Sequence, residues 1–257
     1  MIISYDGTNY VGWQVQPNGV SVQELLEKAL FEITGETIRA EGSGRTDSGV
    51  HARAQVAHFD TEARMQADKF AIAINMHLPR DIRVLYSEEC DQSFHARFSA
   101  KQKQYGYTVQ LGTHADVFTR TTSLHLHCIP NVNAMQKAAE AVIGTHDFSA
   151  FMCSGSTMEN TVRTVTESQW TRSGNQLIYT VTGNGFLYNM VRILVGTMLE
   201  IGSSKRPVSD MAHAIESGNR SDAGATAPAH GLCLLRVIYP DFDTKEVLSR
   251  DGCTLDA

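Results

Sequence analysis

The chain has 257 residues, enough for one domain or two, with 42% hydrophobic and 19% charged residues and a formal net charge of -6 at pH 7. No apolar run is long enough to cross a bilayer, and the opening Met1-Ile2-Ile3-Ser4-Tyr5-Asp6-Gly7 lacks the basic-then-apolar design of a signal peptide, so the expected location is the cytoplasm. The five cysteines are scattered and form no Cys-x-x-Cys pair, which argues against a disulfide framework and a zinc site; His125-Leu126-His127-Cys128 has no second ligand cluster, so no metal is expected.

Residues 1–6 read as a first strand, followed by turns at Asp6-Gly7 and Pro17-Asn18-Gly19. Ser21-Val22-Gln23-Glu24 is a capping box. After it Val22, Leu25, Leu26, Ala29, Leu30 and Ile33 keep helical spacing until Gly35. A glycine-rich loop follows over residues 42–49, then a strand over 55–59. Residues 66–77 predict a helix ended near Pro79, and 81–88 and 105–110 predict strands joined by a polar-aromatic connection over 94–101. A helix is expected over 133–143, closed by Gly144, and a hairpin over 162–170 and 176–182. A long apolar helix over 186–201, a shorter one over 209–217 and a buried strand over 231–239 complete the core, with a mobile acidic tail expected after Pro240. This order fits an α+β fold of mainly antiparallel sheet with helices on its outer side. The expected division is 1–110, 111–240 and the tail 241–257.

The negative total argues mildly against nucleic acid, but only charge on the binding face matters. Asp241, Asp243, Glu246, Asp251 and Asp256 crowd the C-terminus. Arg39, Arg45, Arg53, Arg97, Lys101 and Lys103 gather around the glycine loop and the segment after it.

The most informative stretch is Gly44-Arg45-Thr46-Asp47-Ser48-Gly49-Val50-His51. Glycines this dense make a tight loop and allow another molecule close to the backbone. Asp47 is then a carboxylate held on a loop beside a strand, a frequent setting for chemistry, although a turn whose Asp and Ser bond their own backbone has the same composition. Arg192 lies in the apolar Phe186-Leu187-Tyr188-Asn189-Met190-Val191-Arg192-Ile193-Leu194-Val195-Gly196. An arginine there stays charged, so it either snorkels, forms a structural ion pair or serves a functional acid. Tyr105 and Tyr107 share one face of a strand, for core packing or for stacking on a base. Gly231-Leu232-Cys233-Leu234 alone reads only as buried strand.

Gly-Arg-Thr-Asp-Ser-Gly-Val-His-Ala closely resembles the signature of the TruA family of tRNA pseudouridine synthases. Tyr5-Asp6-Gly7 with Gly12-Trp13-Gln14, Phe98-Ser99-Ala100 with Tyr105-x-Tyr107, Met190-Val191-Arg192 with Val195-Gly196, and Gly231-Leu232 extend the likeness from about residue 4 to 240. The resemblance implies two similar α/β halves meeting in one active-site cleft. It also implies Asp47 as nucleophile or base, Arg192 as its ion-pair partner, Arg45 in base flipping, Tyr105 stacked on the target uracil, and Leu232 walling the base pocket. Gln102 and Gln104 stand where the family has more arginine, which bears on local phosphate contacts. Family members act on uridines 38 to 40 of the tRNA anticodon arm as homodimers, without cofactor or metal. A single essential Asp fits glycoside hydrolysis poorly, where two carboxylates are the rule. A non-catalytic tRNA-binding or tRNA-folding protein of the same fold, and a carboxylate hydrolase acting on a nucleoside, are the competing readings.

Overall fold

The computed structural model describes residues 1–153, 158 and 160–250. In chain order the strands and helices are β1 Ile2–Tyr5, α1 Val22–Thr34, β2 Glu41–Gly42, β3 His51–His58, α2 Phe70–Asn75, β4 Ile82–Tyr86, β5 Gln102–Leu111, β6 Leu124–Leu126, α3 Val132–Glu140, β7 Gly144–Asp147, β8 Val162–Ser173, β9 Gln176–Gly183, α4 Met190–Gly202, α5 Ser209–Ser217, β10 Leu232–Ile238 and α6 Thr244–Arg250. The predicted α+β class is the observed one. Among the described residues no helix is long and apolar enough to cross a membrane.

The chain forms two compact units, but not as consecutive halves. One holds residues 1–103 together with 233–257, and the other holds 104–232. The sequence division at 110 and 240 misses this return. Its physical cause is β10, which pairs in parallel with β3 through Cys233↔His51 and Leu234↔Ala52. A parallel partner far along the chain leaves no local turn signal.

In the first unit the strand order is β4-β1-β3-β10, with β2 laid on β3. β1 is antiparallel to both β3 and β4. Both faces of β3 are largely buried, so its Ala52, Ala54, Val56 and Ala57 do not alternate with polar residues. That is why the sequence pattern shows the strand only from residue 55, whereas it starts at His51, straight out of the glycine loop. The helix α1 behaves as its pattern requires. Ser21 accepts from Glu24 N at 3.2 Å as N-cap, Gly35 ends the helix at φ 73°, and Val22, Leu26, Ala29 and Leu30 are buried. The expected helix over 66–77 is a 3₁₀ turn, Ala67–Lys69, followed by the short α2.

Residues 241–250 of the acidic tail are anchored, contrary to the mobility expected of them, and 251–257 lie outside the described residues. Arg236 Nε donates to both carboxylate oxygens of Asp243 at 2.7 and 2.6 Å, and Tyr239 and Phe242 stack at 4.5 Å. Its acids mask seven helical residues that bury Thr244 and Leu248.

In the second unit the order is β5-β9-β8-β7, with β6 parallel to β5. The hairpin β8–β9 closes at the pair Ser173↔Gln176, with Gly174 at φ 59°. Its Trp170 and Tyr179 rings pack at 5.2 Å. The helix α4 begins at Met190, not 186, because Asn189 takes the left-handed conformation at φ 62°. Ten of its thirteen residues are buried. A Cβ at Gly196 would lie 1.7 Å from Ala225 O, so the segment 224–227 runs directly against the helix. On the parallel β6, His125 and His127 donate to the carbonyls of Gly112 and Thr113, which uses a ring nitrogen of each.

Candidate active site

In the first unit the glycine loop is tied down on both sides of Asp47. Thr46 O accepts from Trp13 N at 3.1 Å, and Thr46 Oγ1 meets the Tyr5 hydroxyl at 2.7 Å. Tyr10 O accepts from Gly49 N and from Ser48 Oγ, both at 3.3 Å. The loop closes on itself through Val50 N to Asp47 O at 3.1 Å. Burial pushes the Tyr5 phenol well above its ordinary pKa, so its hydroxyl stays neutral beside Thr46. Three glycines elsewhere make room for this strap. A Cβ at Gly7 would lie 2.0 Å from Val50 O, one at Gly12 2.3 Å from Thr46 O, and one at Gly42 2.6 Å from the Trp13 ring. Gly12 also sits at φ 103°. The sequence pattern around 5–14 thus serves the Asp47 loop, a role that spacing alone does not reveal.

On the incoming side Ser43 N donates to Val56 O, Ser43 Oγ to Gln55 Oε1, and Gln55 Nε2 to Gly44 O at 2.9 Å. Asp47 is half-buried at the tip. Arg45 is exposed and, among the described residues, makes no ion pair. The straps hold the loop that carries the Asp47 carboxylate in one place, with Arg45 two positions before it.

Lys103 contributes to the loop, although nothing in the sequence separates it from the other basic residues around it. Its Nζ donates to Ser43 O at 2.5 Å and lies 2.8 Å from where a Cβ of Gly44 would be. Burial, then the neighbouring Arg97 charge, lower its pKa from 10.5 to about 8. Between pH 8 and 10.5 the unfolded chain therefore binds the proton that the folded chain has lost, and stability rises with pH across that window. Lys103→Met is expected to flatten this rise, which thermal melts of both proteins at pH 7.5 to 10 would show. Equal pH slopes would remove the burial argument.

In the second unit Arg192 sits on the first turn of α4. Its Nε donates to Ala227 O at 2.7 Å and its Nη1 to Asn189 Oδ1 at 2.8 Å. Ala227 N returns to Arg192 O at 3.0 Å. Tyr107 is wholly buried, and its hydroxyl donates to Pro228 O at 2.9 Å. Burial raises its pKa, against a smaller lowering by Arg192. A Cβ at Gly231 would lie 2.5 Å from the Tyr107 ring, so only glycine fits there. Arg192 and Tyr107 thus grip neighbouring carbonyls of the segment that leads to Gly231 and Leu232. Tyr105 is buried, its ring edge-on to Phe186 at 5.2 Å. Leu232 is buried immediately before Cys233, whose strand partner is His51. Asp47 and Arg45 therefore belong to the first unit, and Tyr105, Arg192 and Leu232 to the second. Tyr107 has a structural reason for its place beside Tyr105, which sequence spacing left undecided.

A family profile described as tRNA pseudouridine synthase matches residues 1–99 and 138–240. The chain belongs to the tRNA pseudouridine synthase family. Curated relatives align over nearly their full length. The protein named tRNA pseudouridine synthase A from Halalkalibacterium halodurans is 48% identical over 90% of this chain and 88% of its own. Those of the same name from Shouchella clausii and Brevibacillus brevis are 47% identical, covering 92% of this chain and 91% of theirs, and 44% identical, covering 93% and 98%. The family matches span the Asp47 loop and the Arg192 helix alike.

Proposed function

We propose that this chain isomerises uridine to pseudouridine in tRNA. The observation that carries this reading is the near-full-length identity to proteins named tRNA pseudouridine synthase A, joined to a strapped loop that presents Asp47. The reaction breaks the N1–C1′ bond, turns the uracil, and forms C5–C1′, with the C5 hydrogen lost to water as a proton and N1 taking up a proton in its place. Electrons balance without a redox partner, so the chemistry calls for a placed carboxylate and a cavity that admits an extruded base. Asp47 is the carboxylate, as nucleophile or as base. An aspartate with the ordinary side-chain pKa of about 3.9 is ionised at neutral pH.

Arg192 is the ion-pair partner of Asp47 in this reading, Arg45 assists extrusion of the base, Tyr105 stacks on it, and Leu232 walls its pocket. The substrate uridines are those at positions 38 to 40 of the anticodon arm, and the working form is a cytoplasmic homodimer of chains each built from two α/β halves. The anticodon-arm assignment, the dimer and the individual roles rest on the sequence resemblance.

The Asp47–Arg192 pairing has its own test. Arg192→Met removes donors from Ala227 O and Asn189 Oδ1 as well as any charge partner, so it should lower the melting temperature and cut turnover at least about a thousandfold. In an Asp47→Asn background the stability loss from Arg192→Met should shrink, because no carboxylate would then be left unpaired. Strictly additive losses would contradict the pairing. The assignment as a whole is checked by mapping pseudouridine in an unmodified tRNA transcript after incubation with the protein; conversion confined to the anticodon arm is the expected result.

A further inference from the structure

Phe98 is 75% exposed, yet its ring is not loose. It packs on His95 at 4.3 Å between ring centroids, and His95 packs on His58 at 4.7 Å. His95 is fixed from both edges. Its Nδ1 accepts from Arg97 N at 3.1 Å and Phe98 N at 3.3 Å, and its Nε2 faces Glu41 Oε2 at 3.1 Å. A ring nitrogen that accepts from two backbone N–H groups carries the proton on the other nitrogen, so Nε2 donates to Glu41. Glu41 and His95 thus form a hydrogen-bonded pair with the His58 ring packed on His95; with its Nδ1 taking backbone donors, His95 is poorly set up to offer Nε2 to a metal.

The backbone under the ring is equally held. Ser99 N donates to His95 O at 2.9 Å, Tyr239 Oη to Ala96 O at 2.6 Å, and Lys101 N to Ile238 O at 2.8 Å. The Arg97 guanidinium lies over the Phe98 ring at 5.6 Å and, among the described residues, makes no ion pair. Lys101 is exposed nearby. Two links tie this patch to the Asp47 loop within the same unit. Glu41 is in β2, the strand that enters the loop, and Lys103, whose proton affinity Arg97 lowers, bonds Ser43 at the loop's start.

We infer that Phe98, with Arg97 over its ring, is a stacking platform for an unpaired base of the RNA substrate other than the target uridine. An exposed aromatic ring held in place by its neighbours gives up little freedom when a base settles on it. The adjacent cations Arg97 and Lys101 suit the phosphates on either side of that base, and the Glu41 carboxylate is engaged by His95. A solvent-facing phenylalanine at the edge of a basic segment would otherwise be only an exposed apolar group. This inference rests on the proposed RNA substrate but names a contact that the isomerisation chemistry does not require.

The test compares Phe98→Ala and Phe98→Trp with wild type, as full chains, for affinity to a labelled unmodified tRNA transcript at several salt concentrations. Base stacking of this kind predicts a dissociation constant about five- to a hundredfold weaker for Phe98→Ala, with wild-type salt dependence, and near-wild-type affinity for Phe98→Trp. Melting temperature and sedimentation of each protein are measured alongside. Unchanged affinity of Phe98→Ala would overturn the proposal. So would a loss of affinity that accompanies dissociation of an oligomer, since the ring would then be a protein contact. Weaker binding by Phe98→Ala in a protein that releases no tritium from C5-tritiated uridine would leave the platform standing while removing the isomerase reading.

Discussion

Asp47→Asn is expected to reduce pseudouridine formation by about 10⁴-fold or more, with tRNA affinity within about tenfold of wild type. The amide is nearly isosteric with the carboxylate, so the straps from Trp13, Tyr10 and Tyr5, which reach Thr46, Ser48 and Gly49 rather than the Asp47 side chain, should survive. What disappears is the negative charge and the nucleophilic or basic oxygen. If Asp47 only positions RNA, binding would suffer at least as much as turnover. Single-turnover rates at saturating protein, set beside filter-binding affinities, separate the two. Substantial residual turnover would mean that another group carries the chemistry.

Gly12→Ala is expected to lower turnover about a hundredfold without altering any proposed site residue. The added Cβ would fall 2.3 Å from Thr46 O and 3.0 Å from the Asp47 carbonyl carbon, backbone atoms that cannot swing away. The backbone at φ 103° is costly for alanine in any surroundings. Either the segment 10–13 moves, losing the bond from Trp13 N to Thr46 O, or the loop carrying Asp47 shifts. A displacement near 1 Å at a reacting group is enough for about a hundredfold loss of rate. Gly44→Ala is the matched control. Its Cβ would meet only Lys103 Nζ at 2.8 Å, the far end of a flexible side chain that can yield. The expected pattern is a fall of about a hundredfold in kcat for Gly12→Ala and severalfold for Gly44→Ala, with melting temperature lowered most for Gly12→Ala. Equal, small effects would mean that the strap does not set the position of Asp47.

How much of this was legible in the chain follows from the range of each interaction. Local signals worked: the Ser21 cap, the Gly35 stop and the Val22–Leu30 stripe define α1 at its observed bounds, and the 173–176 turn gives the β8–β9 hairpin. The Asp47 loop stands out because Gly42, Gly44 and Gly49 fall within eight residues. Signals that depend on distant partners did not work. The pairing of β10 with β3 spans 182 positions between His51 and Cys233, and nothing near either residue announces it. Burial of β3 on both faces hid its first half. Asn189, an ordinary polar residue in the pattern, delays the start of α4 by four residues relative to the apolar spacing, since only its backbone conformation tells. Lys103 looked like one more surface cation, because the burial that lowers its pKa comes from the fold around Ser43 and Gly44. Of the named site residues, Asp47, Arg192 and Tyr105 needed the family likeness as well as residue chemistry, and Leu232 needed it entirely.

The most direct test of the central claim is tritium release from tRNA containing C5-tritiated uridine, with wild type and Asp47→Ala compared at saturating protein. Forming C5–C1′ expels the C5 hydrogen, so isomerisation predicts release by wild type in whole-number proportion to tRNA, no free uracil, and none of either from Asp47→Ala. Binding of the tRNA by wild type without any release would contradict the account, and release of free uracil would show a hydrolase in its place.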